Sequence, residues 1–211
     1  MAETRIRDEA WPGLVPGDHA CGFYLTEAER DGVLNAYLRD GLSRGDKCFC
    51  AVNSSGDSES LLDRLGHDVD LAPILARHQL DVCEAADVYL RDGQFSGEVV
   101  TKFWEDMVST ALSSDFSFAR VTGEVPRAPG ALSNVDEFMI YEAQLNWFVP
   151  RHPQVFLCLY ELSRFDGETL VDVLKVHRKV FFGGILTDNP YYVEPEEFLA
   201  ARQKSTSVVS H

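Results

Sequence analysis

His19 and Cys21 stand two positions apart in the segment HACGFY (19–24), while Cys158 and His177 lie far downstream. Imidazole nitrogen and thiolate sulfur are donors that hold zinc and other soft cations. Residues two apart on a strand leave the same face, so His19 and Cys21 point the same way. His19, Cys21, Cys158 and His177 are therefore the candidate metal ligands, provided the later segments fold back beside the first. Against this, no CxxC pair is present. Cys21 and Cys158 also suit core positions, and His19 suits a strand cap or a hydrogen bond to a small polar ligand. The remaining cysteines, Cys48, Cys50 and Cys83, read as small core residues.

A second group carries oxygen. Glu124 follows the apolar run FARVTG, and Tyr160 and Glu161 close the run QVFLCLYE. Arg120 and Arg127 are near enough in sequence to pair with Glu124. Glu142 and Asn146, four apart on a helical segment, share a face with Phe138. His19, Cys21, Tyr24, Glu124, Glu142, Tyr160 and Glu161 are the candidate ligand-binding residues, a set with aromatic walls and few polar groups. A cysteine nucleophile with His19 or His177 as base lacks a third orienting group and an oxyanion hole. GEV after a strand is not a nucleophile elbow. No catalytic residue is assigned.

The elements that must position these groups alternate. HACGFY is a short buried strand, and Thr26 followed by Glu29 marks a capped helix start. Val33, Leu34, Tyr37, Leu38 and Leu42 form its buried stripe. CFCAV (48–52) is a second strand, DSESLLDRLG (57–66) a helix stopping at Gly66, and QLDVCEA (79–85) a third strand. A helix over 95–114, a strand over 116–125 and a helix over 135–149 follow. The run 154–162 is apolar enough for a strand buried on both faces. A helix over 166–177 and a last core strand, KVFFGGIL (179–186), complete the pattern, with Tyr191, Tyr192 and Phe198 expected to pack back on the domain. Strands alternating with helices imply a mostly parallel sheet covered on both faces, with ligands at the strand carboxyl ends.

Where a phosphate-binding loop would follow the first strand, the chain reads GFYLTEAERDGV. Such a loop needs glycine N–H groups, a lysine and a magnesium-holding hydroxyl. Here Gly22 and Gly32 stand alone, no lysine is present, and Glu27 and Glu29 occupy the helix N-terminus an anion would use. Paired Glu124 and Glu161 could hold magnesium, but nothing would attend the γ-phosphate. ATP is not expected as a ligand.

In order, DHACGFY, YLRDGLSRGDKCFCAV, ARVTGEV, EAQLN, FLCLYELSRFDGETLVDVLKVH and GGILTDNPYYVEPEEFL resemble the MEDS domain, the methanogen/methylotroph, DcmR-type sensory domain. Within the likeness, this chain reads CLYE where the family often has CQYD, and His177-Arg178 where it often has HP. The resemblance implies a three-layer α/β, RecA-like fold with a degenerate phosphate-binding loop over 13–202. A RecA-like order places the 154–162 strand beside the first, bringing Cys158 near His19 and Cys21. The resemblance also implies a non-catalytic sensory module for small hydrocarbon derivatives, coupled to a separate transcription regulator or histidine kinase. Residues 1–12 and 203–211 are expected as tails, the latter disordered. RecA-like domains often pair, so a homodimer is compatible with this reading.

Composition narrows the partners. The 211 residues are 45% hydrophobic and 25% charged, as expected of one globular α/β domain. With 19 basic residues against 34 acidic ones and a net charge of −15, no phosphate-tracking surface is expected. No apolar run reaches the length of a membrane span, and the N-terminus lacks the order of a secretory signal. A cytoplasmic location follows, and the odd count of five cysteines argues against a disulfide framework. The alternatives to a small-molecule sensor are a degenerate nucleotide binder and an interaction module without a ligand.

Overall fold

The computed structural model of the chain describes residues 13–91, 93–127 and 135–209. The expected N-terminal tail, 1–12, lies outside the described residues. The first strand is β1 (His19–Tyr24), buried at all but Phe23. Thr26 then caps α1 (Glu27–Arg44): its Oγ1 accepts the Glu29 N–H at 3.2 Å, and Glu29 Oε2 reaches back to accept the Leu25 N–H at 2.7 Å. The reciprocal pattern expected from Thr-x-x-Glu is thus formed, one residue upstream of the cap itself. The apolar stripe of α1 is buried as its spacing predicts, and Gly45, at a left-handed φ of 83°, ends the helix.

The chain continues through β2 (Lys47–Val52), α2 (Ser55–Asp68), α3 (Leu71–Ala76), β3 (Leu80–Glu84) and α4 (Ala85–Tyr89). A small antiparallel pair, β4 (Leu90–Arg91) and β5 (Gln94–Phe95), leads into α5 (Gly97–Leu112) and β6 (Ala119–Glu124). Then come α6 (Val135–Phe148), β7 (Gln154–Glu161), α7 (Gly167–Val176), β8 (Lys179–Phe182), β9 (Ile185–Asp188) and α8 (Pro195–Val209). The seven-stranded sheet has the order β3-β2-β6-β7-β1-β8-β9, parallel throughout except where β9 runs against β8. In the centre β1 lies against β7 with Cys21 opposite Cys158, the neighbour relation expected of a RecA-like order. No helix among the described residues is long and apolar enough to cross a membrane.

Alternation along the strands divides the interior in two. Cys21, Phe49, Val121, Phe156, Cys158 and Tyr160 face α4, α5, α6, α7 and α8, where Trp104 is the largest buried side chain. Ala20, Tyr24, Cys48, Cys50, Leu157 and Leu159 face α1, α2 and α3. This is the expected three-layer α/β arrangement.

Three expectations are corrected. α2 passes through Gly66 to Asp68, because burial of Leu61 and Leu65 offsets the roughly 1 kcal/mol that glycine costs in a helix. KVFFGGIL is not one strand but the hairpin β8–β9. Gly183 (φ 59°) and Gly184 (φ 83°) supply the paired positive φ angles of a two-residue turn. α8 runs to Val209, within the stretch 203–211 read as a tail, of which residues 210–211 lie outside the described residues. The helix is held nearer its start, where Phe198 is buried in the core and Arg202 pairs with Asp136 and Asp172. Tyr191 does not pack back: it is 67% exposed, whereas Tyr192 lies under the Arg178 guanidinium.

Candidate functional site

On the α6–α7 face, β1 directs His19 into the sheet–helix interface, β7 brings Cys158 beside it, and α6 contributes Glu142. His177, the residue that ends α7, completes the group. His19 Nε2 lies 3.3 Å from Glu142 Oε2 and 3.4 Å from Cys158 Sγ. His177 Nε2 lies 3.3 Å from the same Glu142 oxygen. The two imidazole centroids are 4.1 Å apart, and Tyr160 meets the His177 ring edge-on at 5.7 Å. All four residues are buried, and one donor atom from each lies within 4.8 Å of the others.

Burial, and then His177 beside it, pull the His19 imidazole down to about 4, so it is neutral near pH 7. Burial pushes the Glu142 carboxyl up, but the His177 and His19 rings beside it outweigh that and hold it at about 2, an anion. Burial and Glu142 together drive the Cys158 thiol upward. Around the group, His177 Nδ1 is 2.7 Å from Val173 O. Asn146 Nδ2 donates to Val176 O at 2.7 Å, which ties α6 to the end of α7.

The opposite face carries a different network. Glu124, at the end of β6 and 1% exposed, accepts from the Tyr24 hydroxyl at 2.8 Å and, through Oε2, from the Asn53 N–H at 3.2 Å. Arg30 Nη1 approaches the same carboxylate at 3.5 Å, while Nη2 lies 2.7 Å from Asp31 and 2.9 Å from Asp57. Burial works against the Arg30 charge, but Glu124 and Asp31 overcome it. Arg127 extends the network: its N–H donates to Asn53 Oδ1 at 2.7 Å, and its guanidinium bridges Glu27 (3.2 Å) and Glu161 (3.0 Å). Arg164 then holds the chain after β6 through Val125 O and Pro126 O. The carboxyl ends of β1, β2, β6 and β7 are thereby latched together.

The expected site residues therefore do not line one pocket. His19, Cys21, Glu142 and Tyr160 belong to the α6–α7 face, whereas Tyr24 and Glu124 face α1 and α2, and Glu161 joins them through Arg127. The period of two decides this, since an even-numbered residue of β1 cannot share a face with His19. Among the candidate metal ligands, Cys21 lies outside the four-residue group, its Sγ 3.8 Å from Lys179 O, and the group includes Glu142 instead. Arg120 does not pair with Glu124 but with Asp40 and Asp46, both at 2.7 Å. Arg30, Asn53 and Asp57 are the latch members that sequence reasoning missed. A basic residue in the first turn of a helix, against the macrodipole, is the signal that points to Arg30.

Comparison with known proteins accords with this frame. A family model described as MEDS, the MEthanogen/methylotroph, DcmR Sensory domain, matches residues 18–178, a stretch that encloses His19, Glu142, Cys158 and His177. Among curated proteins, the transcriptional repressor DcmR of Methylorubrum extorquens is 27% identical over 177 residues, or 78% of this chain. The chain spans 59% of the length of that relative. Among solved structures, an uncharacterized protein from Pyrococcus horikoshii in complex with an unknown peptide aligns with TM-score 0.56 and 16% identity, over 79% of this chain and 77% of that one. The RadB recombinase aligns with TM-score 0.50 and 14% identity, over 86% and 82%. These likenesses establish the RecA-like fold.

Proposed function

Because the chain belongs to the MEDS family of sensory domains, we propose that it is a non-catalytic sensory module. In this reading it binds a small ligand at the strand carboxyl ends and passes the change to a separate regulator or histidine kinase in the cytoplasm. The observation that carries the reading is the latch around Glu124. One buried carboxylate joins the ends of β1, β2 and β6 at the edge where ligands of such sheets bind. A ligand that exchanges contacts with Tyr24, Arg127 or Glu161 favours one arrangement of these loops over another, and that difference is what a partner reads. The relative's role as a transcriptional repressor supports an output in gene regulation.

The ligand class that fits is a short hydrocarbon derivative, since the nearby side chains offer aromatic surface and their charges are already paired. Nucleotide is disfavoured because the Glu29 carboxylate already accepts an N–H where a phosphate would dock. Thermal-shift screening against short alcohols, aldehydes and halocarbons, with ATP and GTP plus magnesium as controls, tests the reading. Stabilisation by one of the former, lost in Tyr24→Phe, is expected. Stabilisation by magnesium nucleotide alone overturns it, and a silent screen favours an interaction module without a ligand.

A further inference from the structure

The group on the α6–α7 face poses a problem of proton inventory. Val173 O can only accept, so His177 Nδ1, 2.7 Å away, carries a hydrogen and donates it. The other ring nitrogen, Nε2, then faces Glu142 Oε2 across 3.3 Å. Neither atom completes a hydrogen bond of ordinary geometry within the described residues, although both are fully buried. A buried nitrogen and a buried carboxylate oxygen held this close call for a positive charge between them, a proton or a metal cation.

The spacing indicates which charge. Zinc bonds to nitrogen, oxygen and sulfur are about 2.0–2.3 Å, so tetrahedral ligand atoms sit about 3.3–3.8 Å from one another. Three of the six separations here fall in that range, 3.3, 3.4 and 3.3 Å for His19–Glu142, His19–Cys158 and His177–Glu142, and the other three lie within 4.8 Å. The surroundings also fit. The His177 Nδ1–H donated to a backbone carbonyl is the usual orienting bond of a metal-bound histidine. His19 Nδ1 and Asn146 Oδ1 are further buried atoms that complete no ordinary hydrogen bond within the described residues.

We propose that His19, Glu142, Cys158 and His177 form a binding site for one divalent transition cation of the zinc class, held through two nitrogens, one oxygen and one sulfur. With the Cys158 proton released to solvent on binding, the thiolate and the carboxylate neutralise the ion. All four positions are filled by protein and excluded from water, which marks a closed structural site rather than an open catalytic one. The cation clamps α6 and the end of α7 to β1 and β7. Nothing in this depends on which small ligand the latch accepts.

The test uses the full chain produced in metal-replete medium. Elemental analysis is expected to find about one zinc per chain. After chelation, titration with cobalt(II) is expected to give the visible bands of a tetrahedral site together with a thiolate charge-transfer band. Cys158→Ser removes the charge-transfer band while retaining the visible bands, and Glu142→Gln weakens binding at least tenfold, as losing a ligand should. Cys21→Ser, outside the group, leaves the spectrum unchanged and controls for folding damage. A wild-type chain that carries no metal, and whose melting temperature neither zinc nor cobalt raises, overturns the proposal. So does a cobalt spectrum indifferent to Cys158→Ser. Either result leaves the sensory reading standing.

Discussion

At the scale of single residues, the molecule depends on two buried carboxylates with opposite company. Glu142 is surrounded by histidines and a thiol, Glu124 by a tyrosine, an amide N–H and an arginine. Removing one member of a buried ion pair leaves the other without compensation, at about 3 kcal/mol or more. Arg30 keeps Asp31 and Asp57 when Glu124 is lost, so Glu124→Gln is expected to lower the unfolding free energy by less, about 2 kcal/mol in urea titrations. Tyr24→Phe forfeits only a hydrogen bond to a charged group, about 1.5 kcal/mol. If the two substitutions cost the same, the Arg30 contribution to the latch is refuted. His19 and Cys21 were legible as same-face neighbours from their spacing, but Glu142 was not legible as the partner of His19. A carboxylate on a helix declares its face only relative to neighbours that the fold supplies, and EAQLN reads equally well as a polar surface turn.

At the scale of elements, end signals matter more than interiors. Gly45 closes α1 at φ 83°, with open space where a side chain would grow. Gly45→Ala thus isolates the backbone cost, about 1–2 kcal/mol, and Gly45→Asn recovers part of it because Asn tolerates the left-handed region. Chemical denaturation of both variants checks the order. The Asp172 side chain on α7 joins Lys175 and the Arg202 guanidinium of α8. Burial raises its carboxyl, but Lys175 and Arg202 outweigh burial and hold it below 3.8. A depressed carboxylate contributes stability above its unfolded value and loses it as pH falls through the folded one. Wild type is therefore expected to lose melting temperature faster than Asp172→Asn from about pH 5 downward. Parallel acid profiles would remove Asp172 from the docking of α8. Helices and central strands were legible because periodicity and caps are local. The β8–β9 hairpin was misread because an apolar run with Gly-Gly at its centre satisfies a buried strand and a turn alike.

For the whole molecule, charge and topology bear on partners. A net charge of −15 opposes the counterion release that drives nonspecific nucleic-acid binding. Anisotropy titrations with labelled duplex DNA at physiological salt are expected to show no binding, and tight binding would place this chain in a different class of regulator. The sheet order was legible through family resemblance rather than from any strand, since parallel pairing is settled by long-range contacts. The division of candidate residues between two faces was readable from odd and even positions in β1, and the single-pocket reading overlooked it.

The reciprocal cap at the start of α1 has a consequence for ancestry and engineering. A carboxylate carried on the same helix competes with any incoming anion at an effective concentration of about millimolar or above. A free phosphate compound displaces it only by exceeding that contact in affinity or in concentration. Adding a lysine and glycines after β1 would therefore not restore a nucleotide site. Glu29 must go first, because the chain carries its own tethered inhibitor.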